Sequence, residues 1–168
     1  HISLTRITPD RIDGQSKNSV TVSGTLTNVG KLPISDIDVR LQRGDYAPYG
    51  NALRHTLTED QINYPTTLPF HHLATTLNPG DSTSFTLTAR IHGGDGDTLN
   101  INAPGVYPLL VNVNGRVSNS DSARLHDARV LLPVLSLPGS DRQDPATVAS
   151  RPTTILWPLA LTPQEASY

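Results

Sequence analysis

The stretch that most constrains this chain is residues 105–115, Gly-Val-Tyr-Pro-Leu-Leu-Val-Asn-Val-Asn-Gly. No other part of the sequence places so many apolar residues between two turn signals. Read with a period of two, alternate apolar residues share one face, as a half-buried strand requires. These residues are Tyr107, Leu109, Val111 and Val113. We therefore expect the other strands to pack around this one, which identifies a scaffold and no chemistry.

The end and the second face of this strand lead to further expectations. The Asn114-Gly115 pair favours a hairpin turn, because both residues tolerate positive φ. Pro108 has no N–H to donate to a ladder, and it therefore belongs at a sheet edge or a strand start. Val106 and Leu110 make the opposite face apolar as well, so we expect something to cover part of that face.

Composition favours the same structural class. With 14 Pro and 12 Gly among 168 residues, and many Thr and Val, the chain favours short strands joined by turns over helices. The net charge of −2 gives no electrostatic case for binding nucleic acid or an anionic membrane surface. No apolar run approaches the ~20 residues of a membrane span, so we expect no direct membrane insertion. The absence of cysteine excludes disulfides and thiol chemistry.

Alternation along the rest of the chain predicts an all-β fold, an immunoglobulin-like antiparallel β-sandwich with about seven to nine strands. Segments 19–28, 34–42, 82–91 and 124–135 read as strands, whereas 52–61 is open between a strand and a short helix. Their inward positions predict a single core, because a one-residue slip would turn every side chain to the other face. The predicted core contains Val20, Val22, Leu26, Val39, Leu41, Phe85, Leu87, Leu109, Val111 and Val113.

The chain divides into a sandwich at 1–136, a linker at 137–152 and a last apolar segment at 153–168. The linker is rich in Pro, Ser and Asp, and the last segment contains Ile155, Leu156 and Trp157. We expect these three residues to dock on the sandwich, or else to begin a further domain. Because the chain starts at His1 and not at Met, we expect it to be a fragment of a longer protein.

Two sets of segments resemble known families. The first set resembles adhesion-type bacterial immunoglobulin-like modules of cell-surface proteins, and it comprises residues 22–30, 37–41 and 77–87. The Gly-x-Tyr opening at 105–107 is similar to the tyrosine corner of immunoglobulin-like sandwiches, in which the phenol caps a nearby backbone group. These resemblances imply a fold and no specific activity.

The second set resembles uncharacterised envelope proteins of actinobacteria, which are secreted or membrane-anchored chains often encoded beside a lipid II flippase-like protein. It comprises residues 39–44, 105–115, 129–134 and 155–160, in that order. The resemblance implies an extracytoplasmic immunoglobulin-like domain at the cell envelope or surface, in a larger chain with a C-terminal membrane anchor. It supplies no catalytic residues.

No pattern of chemistry-bearing residues predicts an enzyme or a metal centre. The six histidines match no zinc spacing, and His71 and His72 would point to opposite faces of a strand. Asp95 and Asp97 leave calcium binding open, although a calcium loop needs more oxygen ligands at defined spacing and a solvated turn is the favoured interpretation. There is no Gly-x-Ser-x-Gly elbow. We therefore expect no cofactor, no tightly bound metal and no hydrolase activity.

Three tyrosines, Tyr46, Tyr49 and Tyr64, are the candidate binding residues. Aromatic side chains on loops of a rigid sandwich are typical contact residues, but they serve equally well to plug its end. Trp157 is better explained by burial than as a ligand platform. We expect a non-catalytic interaction module that contacts another envelope protein or a neighbouring domain. The alternatives are a sandwich that recognises cell-wall glycan, and an accessory domain of an envelope hydrolase.

Overall fold

The computed structural model describes residues 1–46, 63–94, 96–118 and 120–140. The described residues form eight strands and no helix, so none of their segments is a helix that could cross a membrane. The strands are β1 (Ile2–Thr8), β2 (Ser19–Thr27), β3 (Ile34–Arg43), β4 (Thr66–Thr67), β5 (His71–Leu77), β6 (Ser82–Arg90), β7 (Gly105–Val117) and β8 (Ala123–Val134). The predicted all-β sandwich of seven to nine strands is confirmed.

The strands form two antiparallel sheets that face each other. One sheet has the order β1-β2-β6, and the other has the order β4-β3-β7-β8 with β5 also paired to β3. This separation matches the A-B-E and C-F-G sheets of an immunoglobulin-like sandwich. β7 lies between β3 and β8, as expected for the strand around which the others pack.

The core forms from the alternating residues of both sheets. All ten residues predicted for it are at most 5% exposed and belong to one cluster. β2 shows the pattern most clearly, because every second residue from Val20 to Leu26 is buried. Gly24 takes its place in this row because a Cβ atom there would lie 2.5 Å from Cζ of Phe85. Each large apolar side chain buried in this way contributes about 1.5–3 kcal/mol.

The predicted hairpin turn at Asn114-Gly115 is wrong, because β7 continues through it to Val117. The register shifts here, since Val113 pairs with His126 but Asn114 pairs with Arg124. A Cβ atom on Gly115 would lie 2.7 Å from Cδ1 of Leu125. The glycine therefore lies against the Leu125 side chain inside a strand, and not in a turn. The chain reverses after Ser118, which has a φ of +54°.

Pro108 lies inside a central strand, contrary to the expectation of an edge or a strand start. The pairing of β3 with β7 ends at Arg43 and Leu109, the residue that follows the proline. The Pro108 carbonyl then accepts a hydrogen bond of 2.9 Å from the Gly44 N–H. The proline has no N–H to donate in return, and the Gly44 carbonyl instead accepts a hydrogen bond of 3.0 Å from Nη1 of Arg43. The strand tolerates the proline because a guanidinium replaces the missing donor.

Tyr107 forms the tyrosine corner that the sequence predicts. Its side chain is 5% exposed, and its hydroxyl donates a hydrogen bond of 2.8 Å to the Ala103 carbonyl. Burial raises the pKa of the Tyr107 phenol, and the Arg43 guanidinium opposes that shift. The bond ties the loop before β7 to the strand itself.

The solvent face of β2 and β6 carries only Ser and Thr side chains over residues 21–27 and 82–88. Hydroxyl groups on the two strands pair with each other, at 2.9 Å for Thr21 and Thr88, 3.2 Å for Ser23 and Thr86, and 2.8 Å for Thr27 and Ser82. Over these residues the two strands therefore present a face without ionisable groups.

The described chain ends against the sandwich. The Leu135 N–H donates to the Ile12 carbonyl at 2.8 Å, and the Gly139 N–H donates to the Gly14 carbonyl at 3.0 Å. The last apolar segment, with Ile155, Leu156 and Trp157, lies outside the described residues. Its docking on the sandwich stays a prediction, as does the short helix or strand at 52–61.

Candidate functional site

An apolar cleft of about 380 Å³ opens at the end of the sandwich where β2 connects to β3. Both sheets contribute to it, because β2 ends and β3 begins here, and β7 and β8 meet at the same end. Its apolar lining comprises Leu26, Val29, Leu32, Ile34, Val117 and Leu125. His1, Lys31 and His126 are among its polar neighbours.

Three of the lining residues are apolar and exposed to solvent. The exposed fractions are 74% for Val29, 52% for Leu32 and 38% for Val117. Single exposed aliphatic residues are ordinary on protein surfaces, whereas here three of them border one concavity. The cleft therefore has the chemistry to receive aliphatic or aromatic side chains.

Asn28 holds the loop that presents Val29 and Leu32. Its side-chain amide donates hydrogen bonds of 2.9 Å to the carbonyls of Leu32 and Leu77, and its side-chain oxygen accepts one of 3.0 Å from the Gly30 N–H. The residue is 5% exposed, so these bonds satisfy a buried amide. From sequence alone, Asn28 is only a strand-ending residue. The available signal is the Asn-x-Gly spacing, which suits an Asn side chain that caps its own turn.

Two histidines stand at the rim of the cleft. The rings of His1 and His126 meet edge to face, with centroids 5.9 Å apart. The backbone nitrogen of His1 donates a hydrogen bond of 2.7 Å to the Thr27 carbonyl. Together with Lys31, the imidazoles give the apolar cleft a polar edge.

The candidate tyrosines lie in different surroundings. Tyr46 is 52% exposed at the end of the sandwich opposite the cleft, where it packs on Gly105 and lies 6.2 Å from the Tyr107 ring. Tyr64 is half-buried, and burial raises the pKa of its phenol, while the nearby Arg129 guanidinium opposes that shift. Within the described chain, no hydrogen bond or ring contact joins Tyr46 to Tyr64. Tyr49 lies outside the described residues.

The histidines and carboxylates form pairs and no larger cluster in the described ranges. His72 Nδ1 lies 3.1 Å from Oδ1 of Asp38, and His71 Nε2 lies 3.8 Å from Oδ2 of Asp97. The two adjacent histidines therefore meet partners on opposite faces of β5, as predicted. Within residues 1–46, 63–94, 96–118 and 120–140, no three His, Asp or Glu side chains converge as metal ligands. Asp95 is not among the described residues.

Comparison with known proteins gives weak likenesses. No protein-family model matches the sequence, and no curated protein matches it. A sporulation control protein from Bacillus subtilis, Spo0M, is 14% identical with a TM-score of 0.42, over 79% of this chain and 48% of that one. A putative ApaA protein from Bordetella pertussis is 16% identical with a TM-score of 0.44, over 80% of this chain and 92% of that one.

A β-glucosidase from Erythrobacter marinus is 14% identical with a TM-score of 0.40, and the match covers 79% of this chain and 15% of that one. The chain thus spans about half of Spo0M and a small part of the glucosidase. Likenesses of this strength carry no argument about function.

Proposed function

We propose that this domain is a non-catalytic interaction module that contacts another protein, or a neighbouring domain of its own chain, through the apolar cleft. The observation that carries the proposal is the exposure of Val29, Leu32 and Val117 around one concavity of about 380 Å³. A partner that inserts an apolar side chain there would remove this surface from water, at about 25 cal/mol for each Å² buried.

The geometry of the loop supports a preformed contact. Because Asn28 holds the loop with three side-chain hydrogen bonds, Val29 and Leu32 do not have to be ordered when a partner binds. The envelope setting of the proposal rests on the resemblance of residues 39–44, 105–115, 129–134 and 155–160 to actinobacterial envelope proteins. That setting makes an extracytoplasmic protein or domain the expected partner.

Site-specific photo-crosslinking tests the proposal. A photoreactive amino acid at position 29 or 32 should give a discrete adduct in intact cells of the source organism, and the same amino acid at position 86, on the hydroxyl face, should not. The Val117→Asp variant places a charge in the cleft and should abolish the adducts, while its thermal midpoint stays within a few degrees because the residue is exposed.

Equal labelling from all three positions, or labelling that survives Val117→Asp, would overturn the cleft as the contact site. Sedimentation with purified peptidoglycan provides the matching test for glycan. Retention on peptidoglycan that is independent of Val117 would replace the proposal with glycan binding.

A further inference from the structure

The ionisable groups that border the apolar cleft all have the same sign. They belong to Lys31, His1 and His126, and among the described residues no aspartate or glutamate lines the cleft. The whole chain, by contrast, has 15 acidic residues against 13 lysines and arginines. The cleft therefore differs in charge from the chain around it, and it favours partners of the opposite charge.

The positive charge of Lys31 is not neutralised within the domain. The side chain is exposed, and in the part of the chain that the structure describes it has no carboxylate within ion-pair distance. Two carboxylates at the same end of the sandwich are engaged by other groups. That of Asp36 lies 3.6 Å from Nη1 of Arg116, and that of Asp81 accepts hydrogen bonds of 3.2 and 3.1 Å from the backbone and side-chain nitrogens of Asn78.

The loop that carries Lys31 also has backbone donors to spare. The N–H groups of Lys31 and Leu32 make no hydrogen bond to any described residue. The Asn28 side chain holds the loop through the Leu32 carbonyl and the Gly30 N–H, so it does not use these two donors. A carboxylate is the group that accepts such bonds and also benefits from a nearby positive charge.

We infer that the cleft selects an acidic–apolar segment of its partner, in which an aliphatic or aromatic side chain enters the cleft and an adjacent Asp or Glu carboxylate meets Lys31. The inference rests on the proposed function, since it takes the cleft as the contact site. At about 380 Å³ the cleft lies at the small end of the ≈ 300–1,000 Å³ range of binding pockets, which suits a short segment. A basic segment would bring like charges together, and a neutral segment would leave Lys31 without a partner.

The two parts of such a segment contribute differently. The apolar side chain supplies most of the affinity, because it removes apolar surface from water. Ion pairs between exposed groups are weak, so the carboxylate should change the affinity by only about 1.5- to 5-fold. Added chloride should reduce this difference between acidic and neutral segments, because it screens the pair and leaves the apolar contact in place.

Amide chemical-shift titration of the ¹⁵N-labelled full chain with four peptides tests the inference. The acidic peptide is acetyl-Glu-Leu-Phe-Glu-amide, and it should shift amides of residues 26–32 and 125–126 in a saturable way. The neutral peptide has Gln in place of both Glu residues and should bind about 1.5- to 5-fold more weakly. The basic peptide has Lys at these positions and should bind more weakly still. The serine peptide, acetyl-Glu-Ser-Ser-Glu-amide, keeps the charge without the apolar side chains and should not saturate.

Two lysine variants identify the source of the preference. Lys31→Gln should remove the difference in affinity between the acidic and the neutral peptide, because it removes the charge that distinguishes them. Lys17→Gln is the matched control, since Lys17 is the only other lysine in the sequence, is exposed and does not line the cleft. It should preserve the difference.

The outcomes separate this inference from the proposed function. Equal affinities of the acidic and neutral peptides, tighter binding of the basic peptide, or a difference that survives Lys31→Gln would overturn the inference and leave the cleft as the contact site. Binding of the serine peptide as tightly as the acidic peptide would overturn the apolar contact, and the proposed function with it. Absence of saturable shifts with all four peptides would overturn the inference, while crosslinking from position 29 decides the proposed function separately.

Discussion

Replacement of Tyr107 by Phe isolates the contribution of the tyrosine corner. The change removes one hydroxyl, and with it the 2.8 Å hydrogen bond to the Ala103 carbonyl, but keeps the ring in the core. Ala103 is exposed, so water can serve its carbonyl once the phenol is gone. The loss should therefore lie near the ordinary net value of a neutral hydrogen bond, about 1 kcal/mol, and not at the upper end for orphaned groups. For a domain of this size, that corresponds to a fall of about 2–4 °C in Tm.

The same residue gives a prediction with a defined pH dependence. Burial raises the pKa of the Tyr107 phenol above its unfolded value of about 10, so the folded state favours the neutral form. This stabilisation is complete below about pH 10 and is lost as the pH rises through the folded pKa. The Phe variant has no such group, so the stability gap between the two proteins should narrow between pH 7 and about pH 11.

Urea denaturation followed by circular dichroism at both pH values measures the gap. Tyr46→Phe is the control, because Tyr46 is 52% exposed and makes no hydrogen bond through its hydroxyl in the described structure. It should change the unfolding free energy by less than about 0.5 kcal/mol. If Tyr107→Phe is as stable as the wild type at pH 7, the phenol does not hold the loop, and the reasoning is refuted.

Three further predictions concern the core and the C-terminal segment. Leu109→Ala should lower the unfolding free energy by about 2–5 kcal/mol, because Leu109 is fully buried. Leu32→Ala is the control and should lower it by less than about 0.5 kcal/mol, because Leu32 is 52% exposed. Equal losses of stability in urea denaturation would contradict the assigned core. Gly24→Ala should cost about 1–3 kcal/mol because the new methyl group would meet the Phe85 ring, and an unchanged Tm would disprove that contact. Trp157 is the only tryptophan in the sequence, so its fluorescence reports on the last segment. If the segment docks, the emission should be blue-shifted and protected from quenching by iodide, and removal of residues 141–168 should lower the Tm. Red-shifted emission and an unchanged Tm would show that the segment does not dock.

Alternation of side chains is sufficient to predict the core. The inward positions of Val20, Val39 and Val111 need no tertiary information, because a strand with one apolar face can bury it in only one way. The tyrosine corner is predictable as well, since a Tyr near the start of a core strand has an upstream carbonyl within reach. These features depend on local sequence, and the structure confirms them.

Features that depend on a distant neighbour are not predictable in this way. Asn114-Gly115 has the sequence of a hairpin turn, but β7 continues through it, and Gly115 lies against Leu125 on the next strand. Alternation also places Gln42 on an outward face, yet the residue is 6% exposed. The alternation of residues shows on which face of the sheet a side chain lies, but it does not show what covers that face. The same limit applies to Asn28, whose partners include Leu77 in another strand.

The two sheets and the cleft differ in charge, so the salt dependence of the binding affinity can show where a partner binds. The outer face of β3, β7 and β8 carries the charged residues Arg40, Asp127 and Arg124, so binding there should weaken as salt screens them over a Debye length of ≈ 8–10 Å. The paired hydroxyls of β2 and β6 carry no charge, and a partner on that face should be indifferent to salt. Binding in the apolar cleft should instead strengthen in sulfate, which is excluded from protein surfaces and favours burial. A single affinity measured in low salt, in high chloride and in sulfate would therefore indicate which of the three surfaces is occupied, before any residue is substituted.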